Sequence, residues 1–65
     1  MSDVKDYIQL QQILKKEDIV GSGGEAKMII QDGFVKVNGE VETRRGRKLY
    51  SGDIVEVEGK KIVVK

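Results

Sequence analysis

The stretch G-F-V-K-V-N-G-E-V at residues 33–41 decides the class of fold that this sequence can adopt. From Phe34 to Val37 the pattern takes a period of two, which is typical of a β-strand with one buried face. Asn38-Gly39 follows at once, and this dipeptide is the strongest short signal for a type I′ hairpin turn. The stretch therefore predicts a β-hairpin whose return arm runs over residues 40–43.

The sequence after this hairpin predicts two further strands. Residues 44–49 are a polar, basic connection, and Ser51-Gly52-Asp53 has the composition of a turn. Residues 54–58, I-V-E-V-E, alternate as a strand does. Gly59-Lys60 then favours a tight turn, and residues 61–64 complete the sheet.

The sequence before residue 33 predicts two short helices. Residues 7–16, Y-I-Q-L-Q-Q-I-L-K-K, carry one apolar stripe, with an extended lead-in at Asp6-Tyr7-Ile8 as an alternative for their start. The stripe consists of Tyr7, Leu10, Ile13 and Leu14. We expect Ile19 and Val20 to pack as part of the loop that follows.

The second helix is predicted over residues 22–32. Ser22 and Glu25 have the spacing of a capping box, in which hydroxyl and carboxylate each accept a free amide proton. Ala26, Ile29 and Ile30 supply its apolar face. Gly33 follows as a residue in the left-handed conformation.

This order of elements predicts an α+β domain, with two short helices packed on one side of a small antiparallel or mixed sheet. The chain has 65 residues, so we expect a single domain spanning residues 1–65. A core of this size leaves little room for a deep substrate pocket. A site on the surface is therefore expected.

The composition excludes most catalytic and metal chemistry. The sequence contains eight Gly but no Cys, His, Pro or Trp. Without Cys there are no disulfides and no thiolate metal site, and without His the usual imidazole base is missing. We expect no catalytic residues, no cofactor, no bound metal and no small-molecule substrate.

Neither a membrane span nor an export signal is visible in the sequence. No apolar run reaches the roughly 18 residues that a span requires, and residues 1–6, M-S-D-V-K-D, are polar and partly acidic. We therefore expect a cytoplasmic protein without a membrane partner.

The formal net charge of +1 conceals an uneven distribution along the chain. Residues 1–42 hold eight acids and five bases, and residues 43–65 hold three acids and seven bases, giving local charges of −3 and +4. Every Arg lies within residues 44–47. Asymmetry of this kind indicates a nucleic-acid or membrane surface.

The segment R-R-G-R-K at residues 44–48, called the basic loop below, is the first candidate site. Guanidinium groups bind phosphate oxygens bidentately and also stack on bases. The alternative is an ordinary solvated loop. We favour anion binding because the chain uses Lys widely but Arg only here, and because adjacent cations add little stability.

A second candidate is G-S-G-G at residues 21–24, which opens a helix with free backbone amides. Lys27 lies one turn further and could bind the same phosphate. The alternative is a simple helix cap, since no phosphate-loop motif is present and Glu25 already occupies the positive helix end. Lys15 and Lys16 are a third candidate, with a polar helix end as the alternative.

The few aromatic residues and the paired acids are assigned mainly structural roles. We expect Tyr7 and Phe34 in the core, whereas Tyr50 could either stack on a base or pack. The pairs Glu40/Glu42 and Glu56/Glu58 alternate along strands, and we expect both on a solvated sheet face.

Residues 7–58 resemble the RNA-binding domain named after small-subunit ribosomal protein S-four. The likeness rests on S-G-G-E-A-K at residues 22–27, on G-x-V-x-V-N-G at 33–39 with G-D-x-V-x-V at 52–57, and on R-R-G-R-K-L at 44–49. The short free-standing bacterial members of that family, the YaaA- and YbcJ-like proteins, are the most similar. The sequence departs from the family with Q-L-Q at 9–11 in place of Arg-Leu-Asp, and with Ser51 before Gly-Asp in place of Pro.

The resemblance implies the αL motif of that family, two helices on a small bent sheet, with an RNA face on the helices and the adjoining loop. It implies that Ser22, Gly23, Gly24 and Lys27 lie at this face, with Arg44, Arg45, Arg47 and Lys48 beside them. Together with Lys15 and Lys16, these residues form the predicted RNA-binding set.

We therefore expect a non-catalytic, monomeric RNA-binding protein that recognises structured RNA, such as rRNA or tRNA, by phosphate and shape contacts. Longer relatives append this module to pseudouridine synthases, tyrosyl-tRNA synthetases or ribosomal proteins. Nothing is appended here, so we expect RNA binding to be the whole function, with the ribosome as a candidate location. The alternative is a protein-docking module on a larger enzyme or ribosomal complex, using the acidic half or strand addition at residues 54–64.

Overall fold

The computed structural model describes residues 7–65 of the chain. The elements within this range are β1 (Tyr7–Gln9), α1 (Leu10–Lys16), α2 (Gly23–Gln31), β2 (Val35–Val37), β3 (Glu40–Val41), β4 (Lys48–Tyr50), β5 (Ile54–Val57) and β6 (Lys60–Val63). All their strand pairs are antiparallel, which removes the mixed-sheet alternative and confirms the predicted α+β class.

The first helix is shorter than its apolar stripe predicted, because residues 7–9 pair with a distant strand. Strand β1 pairs with β4, matching Tyr7 with Tyr50 and Ile8 with Leu49. The extended lead-in is confirmed at Tyr7 and Ile8, whereas Asp6 lies outside the described residues. The basic connection predicted over residues 44–49 is wrong at its end, since β4 begins at Lys48.

Each helix buries the apolar face that its spacing predicted. Leu10, Ile13 and Leu14 of α1 and Ala26 and Ile30 of α2 are buried, and the two helices pack against each other. The predicted loop residues Ile19 and Val20 join the same core.

The cap of α2 is confirmed with one change. The Ser22 hydroxyl accepts the amide proton of Glu25 at 3.3 Å, but the Glu25 carboxylate accepts from Gly21 at 2.7 Å and not from Ser22. Gly33 has a φ of +83°, as predicted for the residue after the helix.

The four-stranded sheet has the order β3-β2-β5-β6. Its first hairpin turns at Asn38-Gly39, where φ values of 53° and 87° fit the predicted type I′ turn. The second hairpin turns at Glu58-Gly59, one residue earlier than predicted. Glu58 therefore lies in a turn and does not share a strand face with Glu56.

The core lies between the helices and the inner face of this sheet, which contributes Val35, Val37, Val55 and Val57. The prediction of a core role for Phe34 is wrong, because this side chain is 60% exposed. Successive strand residues point to opposite faces, and its neighbour Val35 takes the inward position. None of the helices in residues 7–65 has the length and apolar character needed to cross a membrane.

Candidate nucleic-acid interface

The backbone of the basic loop is held against the start of α1. The amide of Leu10 donates to the carbonyl of Arg47 at 2.9 Å, and the amide of Gln11 donates to that of Arg45 at 3.1 Å. These bonds satisfy amides that a helix N-terminus otherwise leaves free. The loop therefore has a fixed backbone, and these helix amides are occupied by the protein itself.

Glu42 is buried beneath the basic loop, with 6% of its surface exposed. Arg44 binds its carboxylate through Nε at 3.1 Å and Nη2 at 3.3 Å, and Arg47 binds it through Nη1 at 2.8 Å. The prediction that Glu42 lies on a solvated sheet face is wrong. Although strand β3 ends at Val41, the amide of Glu42 still donates to the carbonyl of buried Val35 at 3.0 Å. The side chain of Glu42 therefore lies on the same face of the sheet as that of Val35, where the two arginines cover it.

These contacts keep Glu42 ionised. Hydrogen bonds from Arg44 first, and then from Arg47, lower the pKa of this carboxyl group from 4.5 to about 2. The same pairing raises the pKa of Arg44. At neutral pH the basic loop therefore has four cations with one fixed anion beneath them.

The cations of the basic loop remain open to solvent despite this ion pair. The side chain of Arg44 is 75% exposed and that of Arg47 is 32% exposed. Arg45 and Lys48 are exposed, and neither lies within ion-pairing distance of an acid in residues 7–65. A shallow hollow is lined by Arg44, Gly46, Arg47 and Lys48, and the positive charge of this lining suits an anionic group.

Two tyrosines extend this surface along the β1–β4 ribbon. The Nζ of Lys48 lies 5.1 Å from the centroid of the Tyr7 ring, and the rings of Tyr7 and Tyr50 are 6.1 Å apart and tilted. Tyr50 is 51% exposed, so it packs on Tyr7 and also presents ring surface to solvent. Tyr7 was predicted in the core, but it is only half-buried. The pairing of β1 with β4, which its own segment does not reveal, brings it beside Lys48 and Tyr50.

The start of α2 is a separate feature of the surface. Ser22, Gly24 and Lys27 are exposed, and nothing lies within 4 Å of a Cβ built on Gly23. Glu25 is fixed at the same helix end by its bond to Gly21, which places a negative group where a phosphate would approach. The assignment of residues 22–27 to an RNA site therefore stays a prediction.

The length of α1 separates the basic loop from two of the other predicted cations, Lys15 and Lys16. Leu10, at its start, contacts the loop, whereas Lys15 and Lys16 lie in its last turn, about 8 Å further along at 1.5 Å per residue. Within the described residues, no hydrogen bond or ion pair joins the loop to residues 22–27. The structure thus brings together Arg44, Arg45, Arg47 and Lys48, whereas Lys15 and Lys16 lie at the other end of α1 and residues 22–27 form the start of α2.

A larger hollow lies between α1 and the end of β6, and Lys16 is the predicted RNA-binding residue among those that line it. It also borders Tyr7, where the described part of the chain begins. No group of acids in residues 7–65 has the arrangement of a metal site.

Three comparisons relate the chain to known proteins. A family model described as "S4 domain" matches residues 3–65. The Bacillus subtilis protein named "Probable ribosome maturation protein RlbA" is 52% identical over 54 residues, covering 83% of this chain and 76% of that protein. The Escherichia coli "Putative RNA-binding protein YbcJ" is 40% identical over 58 residues, covering 89% and 83%.

A solved structure shares the fold. The 30S ribosomal protein S4e from Thermoplasma acidophilum aligns with a TM-score of 0.66 and 22% identity, over 89% of this chain. The aligned region is only 31% of the length of that ribosomal protein, so the likeness concerns the fold alone.

Proposed function

The chain belongs to the S4 domain family, and from this premise we propose that it is a non-catalytic RNA-binding protein that recognises structured RNA by phosphate and shape contacts. Its similarity to proteins named for RNA binding and for ribosome maturation supports a ribosome-associated role. Structured rRNA is the favoured partner, with tRNA as the other candidate.

The concentration of cations on the basic loop is the observation that carries this proposal. Arg44, Arg47 and Lys48 line one shallow hollow, and Arg45 lies in the same loop, whose backbone is fixed to α1. The deep, narrow major groove of an RNA helix hides base edges from side chains, so phosphates and 2′-hydroxyls are the groups such a surface can reach. Binding through phosphates releases counterions and is therefore weakened by salt.

The proposed interface has two parts. Arg45 and Lys48 have no acidic partner in the described part of the chain and provide the most available charges. Lys15 and Lys16 at the far end of α1, with residues 22–27 at the start of α2, provide a second contact. Because about 8 Å of helix separates Lys15 and Lys16 from the basic loop, we expect a folded RNA, not a single phosphate, to span both.

The test is the affinity of the double variant R45A/K48A for a fluorescently labelled RNA hairpin at several salt concentrations. These two residues are chosen because removing Arg44 or Arg47 would take one of its two ion-pair partners from the buried Glu42 and destabilise the fold. We expect the variant to bind at least about tenfold more weakly, and the slope of log K against log salt to decrease by roughly 1.4–1.8 for two lost contacts.

The matched control is K60A/K61A, which makes the same change in net charge. These two exposed lysines lie on β6, at the opposite edge of the sheet from β3. We expect the control to retain the wild-type slope. A wild-type affinity that does not depend on salt, or an equal loss in both variants, would contradict the proposal.

A protein-docking role is the second candidate, and the outer face of the sheet favours it. Val41, Ile54 and Val63 are 54%, 39% and 57% exposed on the face opposite the core. The predicted strand addition at residues 54–64 is limited to β6, because β5 lies between β2 and β6. Recovery of one protein partner after nuclease treatment and in high salt would support this candidate.

We also propose that residues 1–65 act as one domain, and that the protein is a cytoplasmic monomer without enzymatic activity. The composition of the basic loop supports a role without enzymatic activity, since its side chains are suited to holding anions and include no pair of nucleophile and base. Size-exclusion chromatography with light scattering tests the monomer: a mass of 7.3 kDa is expected, and twice that mass would contradict it.

A further inference from the structure

We infer that Glu42 is a positioning residue for RNA binding: this buried acid raises the affinity for RNA, because it holds Arg44 and Arg47 in the arrangement that receives phosphate. The inference rests on the proposed function, since it concerns the same surface. It reverses the expectation from charge alone, by which an acid under a cationic loop weakens the binding of a polyanion.

The contacts of Glu42 fix both the backbone and the side chains of the basic loop. One oxygen, Oε2, accepts from the backbone amide of Arg44 at 3.0 Å and from its Nε at 3.1 Å. The other, Oε1, accepts from Arg44 Nη2 at 3.3 Å and from Arg47 Nη1 at 2.8 Å. A turn bond from the Arg47 amide to the Arg44 carbonyl, 3.2 Å long, closes the loop between them.

The pair leaves donors free for a ligand. A guanidinium group has five N–H donors, of which Glu42 takes two from Arg44 and one from Arg47. Three donors of Arg44 and four of Arg47 remain, and the side chain of Arg44 is 75% exposed. A phosphate in the hollow can therefore bind both arginines without displacing the carboxylate.

Fixing the arginines before binding lowers the cost of binding. A free arginine side chain loses rotamer freedom when it engages a phosphate, and a side chain already held in place loses less. Two arginines held by one carboxylate also keep a constant spacing, which suits the oxygens of one phosphate or of neighbouring phosphates. Glu42 would thereby offset the repulsion that its charge exerts on the RNA.

Glu40 provides a matched control. It lies two residues earlier, is exposed, and has no ion-pair partner in the described residues. E40Q and E42Q make the same change in net charge at nearly the same place. Charge alone predicts that both substitutions strengthen RNA binding, whereas the positioning role predicts effects of opposite sign.

The experiment measures binding of a labelled RNA hairpin to wild type, E40Q, E42Q and E42D over a range of salt, at a temperature where circular dichroism shows each protein folded. We expect E40Q to bind as tightly as wild type or up to about twofold more tightly. E42Q should bind about five- to twentyfold more weakly, with the salt slope reduced by roughly 0.7–0.9, as for one lost phosphate contact. E42D keeps the charge with a shorter reach and should recover part of the affinity.

Each outcome decides a separate question. Binding by E42Q that is as tight as wild type, with the same salt slope, would overturn the inference and leave the proposed function intact. Absence of salt-dependent binding by wild type would overturn the proposed function itself. If E42Q does not fold, E42D decides: weaker binding with a reduced slope supports the inference, and wild-type affinity and slope overturn it.

Discussion

Replacing Glu42 with Gln should lower the free energy of unfolding by about 2 kcal/mol at pH 7. The lowering of its pKa from 4.5 to about 2 corresponds to between about 3 and 4 kcal/mol, at roughly 1.4 kcal/mol per unit. Water screens part of this interaction, because the side chain of Arg44 is 75% exposed. Glutamine also retains a carbonyl that can accept from Arg47. Both effects reduce the expected loss below the full value.

The same pKa gives the loss a definite dependence on pH. Folding lowers the pKa of Glu42, so its stabilisation is fully present above pH 4.5 and is lost as the pH falls through about 2. The difference between wild type and E42Q should therefore be constant from pH 7 to pH 5, and should decrease toward zero as the pH approaches 2. Hydrogen bonds from the Tyr50 amide first, and then from Asn38, also lower the pKa of Asp53. This effect is the same in wild type and E42Q, so it cancels in the difference between them.

Urea unfolding followed by circular dichroism at pH 7, 5, 3 and 2 measures this difference. E40Q is the control, and we expect it to remain within about 0.5 kcal/mol of wild type at every pH, as is usual for a surface substitution. A loss below about 0.5 kcal/mol for E42Q at pH 7 would show that the ion pair adds no stability. A loss that stays the same down to pH 2 would show that the lowered pKa is not its cause.

Three further predictions concern the fold that carries the site. L49A should lower the free energy of unfolding by about 2–5 kcal/mol, because Leu49 of β4 is fully buried. Chemical denaturation measures this loss, and a value below about 1 kcal/mol would argue against the β1–β4 ribbon being part of the core. G39A should lower the free energy of unfolding by about 1 kcal/mol or more, since Gly39 has a φ of 87°. G46A, at a glycine with open space around it, is the control, and equal effects of the two variants in thermal melts would contradict the type I′ turn. S22A should lower the free energy of unfolding by about 1 kcal/mol, because it removes the hydroxyl that caps α2. S51A, in an exposed turn, is the control, and an unchanged melting temperature for S22A would contradict the cap.

Local signals in the sequence were sufficient for much of the fold. The second helix has a cap at Ser22, apolar residues at helical spacing and a terminal Gly33, all within one segment. Asn38-Gly39 likewise specifies its turn from two adjacent residues. The second hairpin turns one residue earlier than predicted because Glu58 adopts a φ of 50°. Residues other than glycine seldom take this conformation.

Features that depend on distant pairing were not predictable in the same way. Residues 7–9 continue the apolar spacing of α1, and only their pairing with β4 makes them a strand. That pairing also brings Tyr7 beneath Lys48. The positively charged part of the site was visible in the sequence because its residues are contiguous. The acid that organises it was not visible, since Glu42 shares a period of two with Glu40 and only the pairing of β3 with β2 shows that this face is the buried one.

The order of residues 42–47, E-T-R-R-G-R, contains a signal that could have identified Glu42. An acid placed two and five residues before arginines in a turn can reach both of them. Strand periodicity places Glu40 and Glu42 on one face of the sheet, but it does not say whether that face is solvated. The pairing of β3 with β2 puts Glu42 opposite the buried Val35, so its carboxylate lies on the core side.

A titration of the labelled protein with an RNA hairpin, followed by NMR amide shifts, shows directly whether RNA binds on the basic loop and the adjoining end of α1. We expect the largest changes at residues 44–50 and 7–11, with smaller changes at residues 15–27. We expect little change along residues 54–63 on the far strands of the sheet. Changes concentrated on residues 54–63, with the basic loop unaffected, would contradict it.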